Sequence, residues 1–240
     1  MSELHIFTYG SDISKMDTLL ASAHLNGVEL KVRGDKVPWR GNLDKLSRLH
    51  EELQSLHPED IFMFVDGYDV AIVSDTDYIL EQFYSYDAPF VISAEKTCWP
   101  DDHVAMYYPE SDSDYAYVNS GTYIGYVWAV SEYFNYCAQY EDYRVPPFDG
   151  YEPIPHAGSD QRALTTWYLN HPEEAVLDVD QKIFSTLANT PLESFELTAP
   201  NKVTNLETKH QTGVIHGNSP AGMKTLIRLW FRLRSLPIIK

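Results

Sequence analysis

Long apolar runs are missing from this sequence, and so is any cysteine framework. No stretch approaches the ~20 apolar residues that a membrane helix needs. Nor does a charged start with an apolar core precede Leu4-His5-Ile6-Phe7-Thr8-Tyr9, which already reads as a first strand. The chain as given is therefore expected to be soluble, without a membrane span, and by default cytoplasmic. Two cysteines, Cys98 and Cys137, do not make a disulfide scaffold. Basic residues are scarce: 18 Lys and Arg against 35 Asp and Glu give a formal net charge of −17. That balance disfavours nonspecific binding to nucleic acid or to an anionic membrane, although it is compatible with a local basic patch.

Apolar residues, at 44% of 240, are enough for a real core, and the length suits one large α/β domain. Seventeen tyrosines and five tryptophans supply flat, amphipathic surface of the kind that sugar clefts, cores and interfaces all use. Strand and helix patterns alternate through the first hundred residues. Strands are expected at 5–9, 28–32, 61–66 and 90–94. Helices are expected from about Ser14, from Asn42 (as cap) to Pro58, and over 77–84. Such an order implies a parallel sheet with right-handed crossovers. Further on, 117–127 reads as a strand interrupted by Asn119-Ser120-Gly121, and 130–140 as a helix. The Pro-rich stretch 141–158 reads as a surface loop. Ser159 can cap a helix through Asn170. Short strands follow at 176–179 and 213–216, then a C-terminal helix over 224–240 with a solvated basic face. With no internal repeat or linker, a single domain over 1–240 is the simplest organisation.

The most informative stretch is Ile61-Phe62-Met63-Phe64-Val65-Asp66-Gly67-Tyr68-Asp69-Val70. Five consecutive apolar residues predict a strand buried on both faces. An unpaired carboxylate is costly in such a place, so both aspartates belong just past the strand's end. In an open parallel sheet that edge is where ligands bind. Two hard carboxylate oxygens there suit a divalent cation able to hold a diphosphate. The alternative is a solvated Asp-Gly turn. Three other segments carry polar residues where strands should end or continue. Glu95 opens Ser93 to Pro100, whose Trp99 could line a cleft. Asn119-Ser120-Gly121 breaks an apolar strand, as close approach of a ligand or a bulge would. His216-Gly217-Asn218 puts an imidazole at a strand end, where it could complete a two-carboxylate site or simply be a half-buried residue.

In this order the segments resemble the glycosyltransferase domain of the procollagen lysyl hydroxylase/glycosyltransferase (PLOD) family. The resemblance rests on Asp66 to Val70, Ser93 to Pro100, Tyr108-Pro109-Glu110, Val118 to Gly125, Asp160-Gln161, Leu177-Asp178 with Ile183-Phe184, and His216 to Pro220. Collagen galactosyltransferases are a more distant likeness. The resemblance implies a GT-A fold, a Rossmann-like α/β architecture with a mixed, mainly parallel sheet flanked by helices. It implies a UDP-sugar donor, UDP-glucose before UDP-galactose, bound through Mn²⁺. It also implies Asp66, Asp69 and His216 as metal ligands, and Tyr68 and Trp39 on either side of the uracil. Lys45 would lie near the sugar nucleotide, and Gly217 and Asn218 beside the phosphates. Asn119 and Asp160 would face sugar and acceptor, with Glu95 and Trp99 on the acceptor side. Asp160 or Glu95 would be the catalytic carboxylate. Departures from the family pattern fall at Thr122, at Gly158-Ser159 and at Ser219 to Lys224, and bear on the acceptor more than on the donor. No His-x-Asp for an Fe(II) triad occurs in the 240 residues.

These readings predict a metal-dependent hexosyltransferase acting on a hydroxyl acceptor, which could be a glycan, a hydroxylated side chain or another modified polymer. Two competing functions are a catalytically silent GT-A domain that binds a nucleotide sugar or a partner, and a transferase acting on hydroxymethylated DNA bases.

Overall fold

A computed structural model describes residues 2–140, 158–198 and 202–235. Its centre is a six-stranded sheet in the order β2-β1-β3-β6-β5-β7. The strands are β1 (Leu4–Tyr9), β2 (Lys31–Arg33), β3 (Ile61–Asp66), β5 (Phe90–Glu95), β6 (Tyr117–Tyr126) and β7 (Val176–Asp178). β1 runs parallel to β2 and β3, and β5 parallel to β7. β6 alone is reversed, antiparallel to both β3 and β5. The sheet is thus mixed and mainly parallel.

β3 is buried on both faces, as its unbroken apolar run predicts. Because side chains alternate along a strand, Phe62 and Phe64 join one core. That core is shared with Leu46, Leu49 and Leu53 of α2 (Leu43–Leu53), Tyr133 and Phe134 of α4 (Val127–Ala138), and Leu164 and Trp167 of α5 (Asp160–Asn170). Ile61, Met63 and Val65 join a second core with Leu19 and Ala23 of α1 (Asp17–Leu25) and Ile79 and Phe83 of α3 (Thr76–Ser85). Each buried Leu, Ile or Phe contributes about 1.5–3 kcal/mol of transfer free energy, so the sheet is clamped from both sides.

A second, three-stranded sheet lies beyond the second core, in the order β4 (Val70–Ile72), β12 (Val214–His216) and β8 (Phe184–Thr186). Val70, Ile72, Phe184 and Val214 face that core. The opposite face, with Ala71, Val73 and Ile215, packs on Leu226, Leu229, Trp230 and Leu233 of α6 (Pro220–Ser235). The basic residues Lys224, Arg228, Arg232 and Arg234 are exposed, as a packed amphipathic helix requires. A third small sheet joins β9 (Phe195–Thr198), β10 (Lys202–Asn205) and β11 (His210–Thr212).

Several local expectations are corrected. The second strand begins at Lys31, not Val28, and a 3-10 turn over Ile13–Lys15 precedes α1. Asn42 has helical backbone angles and makes no capping bond. Asp44 instead accepts from the Arg40 N–H at 2.8 Å. α2 stops at Leu53, before Pro58, and α4 starts at Val127, directly after β6. β6 runs over ten residues through Asn119-Ser120-Gly121. The irregularity expected there is present: Ile92 pairs with Tyr123 and Ala94 with Val118, so residues 119–122 stand opposite Ser93 alone and bulge from the ladder with β5. The Ser159 cap is present, accepting from the Arg162 N–H at 3.3 Å. Of the expected loop 141–158, only Gly158 lies within the described residues, and the tail 236–240 lies outside them. Both cysteines are free. Among the described residues, no helix is long and apolar enough to cross a membrane.

Candidate active site

The reversal of β6 decides where its polar residues go. Val65 pairs with Thr122 and Glu95 with Tyr117, so the start of β6 meets the carboxyl ends of β3 and β5. Asn119, Ser120 and Gly121 thereby reach the edge at which Asp66 ends β3. The loop after Asp66 carries Gly67, Tyr68 and Asp69 into β4. β12 pairs antiparallel with β4, matching His216 to Val70, and so places the imidazole beside the aspartates. The Gly217 N–H donates to the Asp69 carbonyl at 2.7 Å and fastens the two strand ends together.

Asp66, Asp69 and His216 each offer a ligand atom, and these atoms lie within 4.8 Å of one another. His216 Nε2 is 3.3 Å from Asp69 Oδ2 and 3.8 Å from Asp66 Oδ2. Burial disfavours the imidazolium, but the charges of Asp69 and Asp66 outweigh it and raise the His216 pKa above 6.5. Burial also opposes ionisation of Asp69, yet the adjacent His216 holds that carboxyl below its usual range. Two hard oxygens and one imidazole nitrogen on one concave wall are a donor set that fits Mn²⁺ or Mg²⁺.

Lys45 reaches this group from α2. Its Nζ lies 2.9 Å from Asp66 Oδ1 and 2.7 Å from Asp160 Oδ2. The side chain is buried, and although burial favours the neutral amine, Asp160 and Asp66 together push its pKa above the usual value. Asp160, at the capped start of α5, also accepts from Ser120 Oγ at 2.7 Å. Sequence patterning alone gives no hint that Lys45 cross-links a strand end to a helix start. The signal for it is a lysine among the leucines of an amphipathic helix.

Glu95 is a saturated acceptor. Its Oε1 takes Asn119 Nδ2 at 3.1 Å and Gln161 Nε2 at 2.6 Å, and its Oε2 takes Asn218 Nδ2 at 2.9 Å. Burial raises its pKa, against the pull of these amides. Asn218 is equally occupied, its Oδ1 accepting from the N–H groups of Leu187 at 2.9 Å and Ala188 at 2.8 Å. Gly217 meets the backbone of Met223: an added Cβ would sit 3.0 Å from its Cα. Close chain packing is thus one reason for glycine there.

These groups line a cavity of about 670 Å³. Trp39 and Tyr68 stand on its wall with 47% and 37% exposure, enough to leave ring faces open to a ligand. Tyr68 is fixed by its hydroxyl, which accepts from the Asp12 N–H at 3.0 Å. Tyr9 joins them, 6.0 Å from the Trp39 ring. Trp99 is 52% exposed on another part of the wall. Its carbonyl accepts from Gln161 Nε2 at 2.9 Å. Two residues on, Asp101 makes a buried bidentate pair with Arg162, at 2.6 and 2.8 Å. The sequence reading missed that pair, because neither residue is marked by pattern as buried. Every candidate residue except Gly217 lines the cavity.

Comparison with known proteins agrees with the arrangement. The family model described as the PLOD GT domain matches residues 2–229. A procollagen-lysine,2-oxoglutarate 5-dioxygenase of Drosophila melanogaster is 29% identical over 200 residues, covering 77% of this chain and 26% of the relative. A multifunctional procollagen lysine hydroxylase and glycosyltransferase of Caenorhabditis elegans is 25% identical over 242 aligned residues, covering 92% of this chain and 31% of the relative. The multifunctional procollagen lysine hydroxylase and glycosyltransferase LH3 of Rattus norvegicus is 35% identical over 95 residues, 39% of this chain and 13% of the relative. The chain thus corresponds to less than a third of the length of these relatives. With the mixed sheet, the strand-end cavity and a family match across nearly its whole length, the chain belongs to the PLOD glycosyltransferase-domain family, with a GT-A type of fold.

Proposed function

We propose that this chain transfers a hexose from a UDP-sugar, UDP-glucose before UDP-galactose, to a hydroxyl acceptor in a Mn²⁺-dependent reaction. The observation that carries the reading is the convergence of Asp66, Asp69 and His216 on one wall of a cavity that also presents Trp39 and Tyr68. Asp66, Asp69 and His216 would hold the metal, which when bound neutralises charge on the diphosphate leaving group. Trp39 and Tyr68 offer flat faces for the uracil.

The two carboxylates suggested for catalysis differ in what they have left to offer. Glu95 has both oxygens engaged by amides, which suits orientation rather than proton transfer. Asp160 uses Oδ2 for Lys45 and Ser120. Its Oδ1, which has no hydrogen-bond partner among the described residues, is the atom available to an acceptor hydroxyl. Trp99 supplies the apolar side of the acceptor subsite. The names of the relatives join procollagen lysine hydroxylation to glycosyl transfer, and this favours a hydroxylated side chain among the acceptor classes. Release of UDP from UDP-glucose and UDP-galactose, measured with Mn²⁺ and with EDTA, tests the proposal. No metal-dependent release from either donor would leave the silent-domain reading in its place.

A further inference from the structure

Asn119 is expected from the family resemblance to face the sugar, yet its amide is engaged at both ends by the protein. Its Nδ2 donates to Glu95 Oε1 at 3.1 Å. Its Oδ1 accepts from the Gly121 N–H at 3.1 Å and lies 3.0 Å from His216 Nδ1. Rotating the amide by half a turn would set an NH₂ against the Gly121 N–H and an oxygen against the Glu95 carboxylate, so the network admits one orientation. The atom facing His216 Nδ1 is therefore an acceptor, and Nδ1 must be the donor. In the neutral ring Nε2 is left to face Asp66 and Asp69 with its lone pair.

We propose that Glu95 and Asn119 form a polarity relay that sets the ring orientation and tautomer of His216, making both of them positioning residues for the metal ligands. The inference rests on the metal reading above. Its physical basis is general: a ligating histidine is oriented by the partner of its other nitrogen, and loss of that partner weakens metal binding. Here the relay starts from a carboxylate that touches no ligand. Glu95 is itself fixed by two further amides, from Gln161 and Asn218. Gly121 completes the device twice, once through its N–H and once by leaving room for the ring. Glu95, Asn119, Gln161 and His216 are all buried, so water is a poor substitute for a lost partner among them.

Asn119→Leu tests the relay by removing the acceptor outright. Glu95→Leu removes the group that fixes the Asn119 amide. Two measurements apply. In the metal-free protein, ¹⁵N NMR of the His216 ring should show a proton on Nδ1 in the wild type. At a pH where the ring is neutral, Nδ1 should lose that proton in Asn119→Leu. In calorimetric titration of Mn²⁺ in the presence of UDP, Glu95→Leu and Asn119→Leu should each weaken metal affinity by roughly tenfold or more, the scale of a lost orienting partner. Should Glu95→Leu not fold, Asn119→Leu carries the same test. An unprotonated Nδ1 in the wild type overturns the relay, and so does unchanged Mn²⁺ affinity in both Glu95→Leu and Asn119→Leu. Failure of the wild type to bind Mn²⁺ would instead count against the metal reading, and the NMR measurement would still decide the relay.

Discussion

Gly121 and His216 share a space with no room for one more carbon. A Cβ built on Gly121 would lie 2.7 Å from both ring nitrogens of His216 and would overlap the carbon between them. Gly121 sits in the bulge of β6 between Val118 and Thr122, which pair with Ala94 and Val65, and its N–H is tied to Asn119 Oδ1 at 3.1 Å, so the backbone has little freedom to retreat. Gly121→Ala should therefore expel the ring from its place beside Asp66 and Asp69. The expected result is at least a roughly tenfold loss of Mn²⁺ affinity, about 1.4 kcal/mol, in a protein that still folds. Calorimetry with a melting curve of the same sample checks both halves.

Asp69 lies just past the end of β3 and carries little packing. Asp69→Ala should leave the melting temperature nearly unchanged and abolish the Mn²⁺ dependence of UDP binding. In the wild type, UDP affinity with Mn²⁺ and with EDTA should differ by roughly tenfold or more. Equal affinities in the wild type would remove the metal assignment. A large fall in melting temperature for Asp69→Ala would mark it as a structural residue.

His216 gives the site a pH dependence with a definite sign. Its pKa in the metal-free fold is raised above 6.5 by Asp69 and Asp66 against the effect of burial. The stability it contributes is therefore fully present below pH 6.5 and is lost as pH rises through the raised value. Metal must displace the proton on Nε2, so Mn²⁺ affinity should move the other way and increase with pH across the same window. Melting curves of the metal-free protein and Mn²⁺ titrations from pH 6 to 9 should show these opposite slopes. In His216→Gln both should flatten.

Asp160 and Lys45 separate chemistry from stability. Asp160→Asn keeps the bond from Ser120 but weakens the charge pair with Lys45 at 2.7 Å. UDP affinity should persist while transfer falls by about a hundredfold or more, the scale of lost acid–base or positioning help. Lys45→Met strands two carboxylates without their counter-charge. It should cost about 3–5 kcal/mol, as breaking a buried pair does, and should lower the melting temperature more than Asp160→Asn does. Near-normal turnover in Asp160→Asn would return that residue to a structural part.

The Asp101–Arg162 pair anchors the segment that carries Trp99. Both side chains are buried, and the pair is bidentate. Arg162→Met should destabilise by about 3–5 kcal/mol, with the double variant Asp101→Asn/Arg162→Met recovering part of the loss because no unpaired charge remains. Urea denaturation of the four proteins measures the coupling.

Much of the site was legible in the chain because charged and polar residues interrupt apolar strands only where a ligand edge or a buried network requires it. The run ending at Asp66 gave the strand and its edge, and His216 stood out as a polar strand end. The family resemblance then joined segments that are 150 residues apart. Contacts made at right angles to the chain were not legible. Lys45 reads as a polar position on an amphipathic helix, and nothing local reveals that its ammonium bridges two aspartates. Glu95 looked like a free carboxylate after a strand. Its three amide partners come from β6, α5 and the turn after β12, whose meeting depends on the sheet order. The break in the β6 ladder at Asn119 to Gly121, by contrast, shows in the chain as polar residues inside an apolar strand. The short strands of the two small sheets carry too few residues for any period to show.

The reversed strand has a consequence for how such a domain can diversify. Because β6 enters the sheet at the cavity edge, Asn119 to Gly121 are held between two paired stretches, Tyr117–Val118 and Thr122–Tyr126, and not at the tip of a free loop. The segment between β5 and β6, which puts Trp99 on the cavity wall, lies outside that ladder. It can lengthen, shorten or change composition while Asn119, Ser120 and Gly121 keep their place. One side of the cavity can thus change while the wall that carries Asp66, Asp69 and His216 is inherited intact.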